Sequence, residues 1–133
     1  MGTRYLLDTN VLSQLVRRPH DLASKIAAVG EQAVCTSIVA AGELRYGALK
    51  KQSPTLAARV EALLDSLDVL PLEDGVDRVY AAIRARLESA GKPIGGNDGW
   101  IAAHALAADC TLVSDNVQEF RRVPNLRIEN WLR

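Results

Sequence analysis

Short apolar runs alternate along the whole chain with longer stretches in which apolar residues recur every three or four positions. The short runs read as strands, being too brief for buried helices and rich in β-branched and aliphatic residues. "RYLLD" predicts a strand that stops at Asp8, "AVCTS" (Ala33 to Ser37) a second, and "DVLPL" a third, where Pro71 marks an edge or a strand end. "TLVS" (Thr111 to Ser114) predicts a fourth strand and "RIENW" a short fifth. The periodic stretches predict helices starting near Val11, around Asp21 to Val29, over "IVAAGELRYGALKK" with Ser37 as its cap, from Thr55 to Leu67, from Gly75 to Ala90, and from Asp98 through the apolar stretch that ends at Ala108.

The helix from Gly75 is the clearest. Val76, Val79, Tyr80, Ile83 and Leu87 form one apolar stripe, while Arg78, Arg84, Arg86 and Glu88 fall largely off it. Gly91 then offers a left-handed stop and Pro93 forbids resumption. Strand and helix alternating over 133 residues predict a single α/β domain spanning residues 1–133, a three-layer αβα sandwich with a mainly parallel central sheet and right-handed crossovers.

Composition narrows the function classes. Apolar residues at 48% and charged ones at 24% exclude disorder, collagen and coiled coil. Sixteen basic residues balance sixteen acidic ones, so any nucleic-acid surface must be a local patch. Cys35 and Cys110 lack a C-x-x-C spacing and read as buried thiols of a reducing cytoplasm, with a bridge left open. Asp8 interrupts the first apolar patch, and nowhere do eighteen uncharged apolar residues run together, so a cytoplasmic chain without a membrane span is expected.

In an open α/β sheet, ligands gather beyond the carboxyl ends of the strands. That rule selects Asp8 after the first strand, Asp115 after "TLVS", Glu43 in the second turn of the helix after "AVCTS", and Asp98 at the helix start within "GKPIGGNDGW". Each has an ordinary alternative role: Asp8 and Asp98 as helix caps, Asp115 as a turn residue, Glu43 as a solvated helix residue. The glycine-rich stretch around Asp98 lacks the Gly-Lys-Ser/Thr ending of a phosphate loop and presents an anion of its own. Four carboxylates at one edge repel, by roughly 3 kcal/mol per pair at about 5 Å and an effective dielectric near 20. Relief comes from a proton or a shared cation. An all-oxygen set selects Mg²⁺ or Mn²⁺, and neither His20 in its loop nor His104 inside an Ala-rich helix supplies a zinc site. A hard ion held by acids can activate water against a phosphodiester, which is nuclease chemistry.

Four segments carry a resemblance to a known family: "LLDTNVLS", "SIVAAGELRYGALK", "IRARLESAGKPIGGNDGWIAAHALA" and "TLVSDNVQEFRRVPNLRIENW". Together, in this order over nearly the whole chain, they resemble the PIN-domain ribonucleases, and more closely the VapC-type toxins of bacterial toxin–antitoxin pairs. The resemblance implies a Mg²⁺-dependent endoribonuclease acting on cellular RNA, a cognate VapB-type antitoxin that inhibits it, and a homodimer. By position, the family's acids fall on Asp8, Glu43 and Asp98. The fourth acidic place falls on Asn116, with Asp115 one residue earlier, and either could fill it. Thr9, Asn10 and Ser114 would then orient carboxylates and water. Arg45, Arg84 and Arg86 are the candidates for gripping RNA, each with a solvated face as its ordinary alternative, and no aromatic-interleaved RNA motif stands in the sequence. Two rival readings are a PIN-like module that binds RNA or a partner without cutting, and a phosphoacceptor receiver domain. The receiver would need a second acid beside Asp8 and a Lys after the last strand, which the sequence lacks.

Overall fold

The structure, a computed structural model, describes residues 2–73 and 75–132. Five parallel strands form its sheet: β1 (Arg4–Leu7), β2 (Val34–Ser37), β3 (Asp68–Leu70), β4 (Cys110–Val113) and β5 (Ile128–Glu129), in the order β3-β2-β1-β4-β5. The inner strands β2 and β4 are buried along their whole length, whereas β3 and β5 at the two edges are partly exposed. That is why "AVCTS" and "TLVS" are near-continuous apolar runs: strands covered on both faces have no polar side to present. Pro71 follows the edge strand β3 directly, where its missing N–H costs no ladder bond.

Helices α1 (Thr9–Arg17), α2 (His20–Val29), α3 (Ile38–Lys51), α4 (Pro54–Ser66), α5 (Val76–Ser89), α6 (Gly96–Ala107) and α7 (Val117–Phe120) connect and cover the sheet. The stripe read along α5 buries Val76, Ile83 and Leu87 but leaves Tyr80 only partly buried. Gly91 takes the left-handed conformation at φ 71°, ending the helix as its sequence predicts. Core side chains are contributed by all layers, among them Leu6, Leu12, Leu22, Val60, Ile101, Leu112 and Phe120, each nearly or fully inaccessible.

The strand order decides two points. Leaving β1, the chain builds outward to β2 and β3, then returns to place β4 on the other side of β1. The order reverses between β1 and β4, so a crevice opens beyond their carboxyl ends. A receiver domain follows the order 2-1-3-4-5 instead. The topology therefore overturns that rival reading.

Cys35 and Cys110 are free and buried, with their sulfurs 4.0 Å apart. They belong to β2 and β4, which flank β1 on opposite sides. Strands two places apart lie about 9–10 Å from each other, beyond the Cα separation a disulfide spans.

His104 on α6 is buried, and its Nδ1 lies 2.8 Å from the Ser37 hydroxyl, which in turn accepts the Val39 N–H at the start of α3. Burial holds its pKa below the ordinary 6.5, with the Pro71 carbonyl and Glu73 opposing this only in part. An unfolded chain takes up this proton at a higher pH than the folded one, so the stability contributed by neutral His104 is lost as pH falls through and below about 6.5. The melting temperature of the wild type should therefore fall between pH 7.5 and 5.5 relative to that of His104→Gln. Equal slopes for the two proteins would contradict this.

Candidate active site

Asp8 leaves β1 and enters α1 at the crevice between β1 and β4, tied to β4 by its N–H donating to the Val113 carbonyl at 2.9 Å. Only 4% of its surface is exposed. One carboxylate oxygen accepts the Thr9 N–H at 2.8 Å and caps α1; the other accepts the Ser114 hydroxyl at 2.7 Å. Asp8 thus fills the bland capping role and faces the crevice as well. Its pKa is raised by burial, against the two hydrogen bonds, and further by the negative charges of Glu43 and Asp115.

Glu43 comes from the second turn of α3, whose start is fixed by the Ser37 cap at the end of β2. The Thr9 hydroxyl donates to one of its oxygens at 2.5 Å and the Asn97 amide to the other at 3.2 Å. Asp98 lies in the first turn of α6, whose cap position is Gly95 with no side-chain cap. The capping alternative for Asp98 is therefore excluded. It is partly buried, and no described residue donates a hydrogen bond to its carboxylate. Its pKa is pushed up to about 6, first by burial and then by Asp8, Glu119 and Glu43.

Glu119 was missed in the sequence. It sits on α7, beside the fully buried Phe120. One of its oxygens accepts the Gly95 N–H at 3.0 Å and the other the Asn116 amide at 2.8 Å, and these two bonds lower its pKa. It therefore tethers the loop that presents Asp98 while adding a charge that Asp98 feels. The signal for it was "EF" itself, an acid next to the one Phe, since a buried aromatic anchor fixes the direction of its neighbours.

The two candidates for the fourth place behave differently from Glu119. Asp115 is exposed and accepts the Asn10 amide. It acts on Asp8 but is not among the charges that act on Asp98. Asn116 gives its N–H to the Ser114 hydroxyl at 3.0 Å and its amide to Glu119. Ser114 thus links Asp8 to the turn after β4. Thr9, Asn10 and Ser114 each hold an acid of the cluster, namely Glu43, Asp115 and Asp8. The side-chain oxygen Oδ1 of Asn10 is buried without a partner among the described residues.

The arginines lie apart. Arg45 is engaged twice by Glu61 at 2.9 Å, and Arg84 pairs with Glu88 at 2.9 Å and donates to the Tyr80 hydroxyl at 3.1 Å. Arg86 is exposed on α5. None of them is among the charges acting on Asp8 or Asp98.

Among the described residues no three Asp, Glu, His or Cys side chains are gathered closely enough to hold an ion as placed. The donor chemistry nonetheless fits a hard divalent cation. The acids carry only oxygen, burial and then the charges of Asp8, Glu119 and Glu43 raise Asp98, and that carboxylate has no donor among the described residues.

The PIN domain family matches residues 5–126 of the chain. Ribonuclease VapC2 of Haemophilus influenzae is 38% identical over 131 residues, covering 97% of this chain and 98% of that protein. The tRNA(fMet)-specific endonuclease VapC of Shigella flexneri is 33% identical, covering 96% of this chain and 98% of that one. Among solved structures, VapBC2 from Rickettsia felis bound to a promoter DNA fragment matches with a TM-score of 0.90 at 30% identity, covering 97% of this chain and 99% of the other. VapBC-1 from nontypeable Haemophilus influenzae matches with a TM-score of 0.88 at 31% identity, covering 98% and 100%.

Proposed function

This chain belongs to the PIN-domain family, among its VapC ribonucleases, and from that premise we propose that it is a metal-dependent endoribonuclease toxin whose partner is a VapB-type antitoxin. The observation that carries the reading is Asp98. A partly buried carboxylate with no hydrogen-bond donor among the described residues, raised to about 6 first by burial and then by Asp8, Glu119 and Glu43, is costly to keep in a fold unless a cation is to be met there. Asp8 and Asp98 would hold Mg²⁺ or Mn²⁺, with Glu43 and Glu119 completing the negative cup. A bound ion of this kind supplies activation of a water and relief of charge on the phosphodiester.

The chain's own residues do the arranging. Ser114 and the Thr9 N–H fix the Asp8 carboxylate, Thr9 and Asn97 fix Glu43, and Glu119 fixes the Gly95 backbone from which α6 and Asp98 depart. The uncapped start of α6 directs backbone N–H groups outward beside Asp98, favourable to a phosphate oxygen. Inhibition follows from the same electrostatics: an antitoxin arginine inserted among these acids would satisfy them with charge-assisted bonds and displace the ion. The structural relatives were determined as VapBC complexes, which supports a partner of this kind.

The test is direct. Purified chain incubated with RNA and Mg²⁺ should give discrete fragments, lose this activity in chelator, and lose it again on addition of a cognate VapB-type antitoxin. Intact RNA in Mg²⁺ and Mn²⁺ alike would instead support the non-cutting PIN-like module.

A further inference from the structure

Beside Asp98 a small cleft runs between α5 and the start of α6, lined by Tyr80, Arg84, Glu88, Gly95, Gly96 and Gly99 among others. Its cavity volume of about 120 Å³ is well below that of sites for drug-sized ligands, which leaves room for one flat ring. We propose that this cleft receives a single base of the RNA next to the cut, and so sets which nucleotide is presented to the acids. The proposal rests on the nuclease reading above and adds to it the groove's substrate contact.

Three observations carry it. First, the glycines on the wall have no conformational excuse. Gly95, Gly96 and Gly99 all lie outside the positive-φ region that favours glycine, where Gly30, Gly75 and Gly91 are found. Glycine in a helix costs about 1 kcal/mol relative to alanine, and Gly96 and Gly99 both belong to α6. At Gly96 a Cβ would meet nothing within 4 Å, so packing does not demand glycine there either; what its absence leaves is open space along the cleft. Gly99 lets Tyr80 sit close, since a Cβ would stand 3.2 Å from its ring. A Cβ on Gly95 would stand 3.8 Å from an Asp98 oxygen, so the cleft abuts the acid cluster.

Second, Tyr80 on the cleft wall is backed by a second large aromatic side chain, Trp100, packed with it against the core. Tyr80 and Trp100 stack with ring centroids 3.8 Å apart and planes 4° from parallel, both only partly buried. An aromatic column at a groove is a platform on which a base adds its own π face without regard to the rest of its sequence context.

Third, the charge is wrong for a phosphate and right for a base. Arg84 is already paired with Glu88 at 2.9 Å, so the cleft has no net cation to offer an anion. What it does present is a guanidinium, a carboxylate and the Tyr80 hydroxyl in one row, a mixture of donors and acceptors suited to the edge of a neutral heterocycle.

The test uses one oligonucleotide that the wild type cuts, intact and with the base on either side of the cut replaced by an abasic site. Tyr80→Ala removes the platform. Gly96→Leu fills the cleft from an exposed position with free space, so it serves if the first variant folds poorly. Each variant should raise KM for intact RNA by about ten- to a hundredfold, the effect of losing one stacked base. On the RNA whose cleft-bound base is missing, the same variants should add little further loss, because variant and abasic site delete one contact. Unchanged KM in both variants, or losses that simply multiply on both abasic RNAs, would overturn the proposal. Binding of the same oligonucleotides in chelator, followed by fluorescence anisotropy, makes the comparison without turnover. A chain that cuts nothing would then count against the nuclease reading while the cleft is still decided.

Discussion

Asp98→Asn should lower RNA cleavage by about 10²–10⁴-fold, the range for removing a group that acts directly in the reacting centre, and should at the same time make the protein harder to melt. The second half follows from the sign of the shift. The folded-state pKa of Asp98 stands at about 6 against an ordinary 3.8, so the folded chain holds this proton more tightly than the unfolded one. The resulting stability is fully present below about pH 3.8 and is lost as pH rises through about 6. At neutral pH the ionised carboxylate is a burden that asparagine removes. The melting temperature of Asp98→Asn should exceed that of the wild type at pH 7.5, and the gap should close toward pH 4. Adding Mg²⁺ should raise the wild-type melting temperature and leave the variant nearly unmoved, because only a site that binds the ion in the folded state gains from it. A variant that cuts RNA at the wild-type rate, or melts lower than the wild type at pH 7.5, would remove Asp98 from the centre of the site.

Glu119→Ala should cost about 10–100-fold in cleavage, the scale of groups that orient those in contact with the reacting atoms, whereas Asp115→Asn should cost much less. Glu119 holds the Gly95 N–H and the Asn116 amide, so its loss frees both the loop before Asp98 and the turn after Ser114. Asp115 is exposed and, among the described residues, bonded through Asn10 alone. Glu119→Gln separates tether from charge: the amide oxygen can still accept from Gly95, while one charge is taken from Asp98. Its pH profile for cleavage should shift to lower pH, since the repulsion that raises Asp98 is reduced. The opposite ranking, with Asp115→Asn crippling and Glu119→Ala mild, would return the fourth place to Asp115, one of the two candidates read from the sequence.

The contrast between these two residues shows which kind of residue the order of elements can select. Asp8 stands at a strand end, Asp98 in the first turn of a helix and Glu43 in the second turn after a strand, and the rule that ligands gather at the carboxyl edge of a parallel sheet needs only the order of elements to select them. Glu119 lies on a four-residue helix too short to show a period, and its direction is set by Phe120 entering the core. The arginines are hard to read for a related reason. Charge is visible in the sequence, but whether it is free is not: Arg45 and Arg84 are held by Glu61 and Glu88. The stacking of Tyr80 on Trp100 joins residues of two different helices, so no local RNA-binding motif announces it.

What the sequence determined by itself is local and periodic. Apolar runs bounded by polar residues made strands, three- and four-residue spacing made helices, and Ser37 and Gly91 set helix ends, because those choices depend on a residue and its near neighbours. Tertiary structure decided everything that depends on partners distant in the chain. It fixed the order β3-β2-β1-β4-β5, the crevice between β1 and β4, and the bond from Ser114 to Asp8 across 106 positions. A carboxylate's pKa belongs to this second kind, since it is set by burial and by the charges that folding brings near.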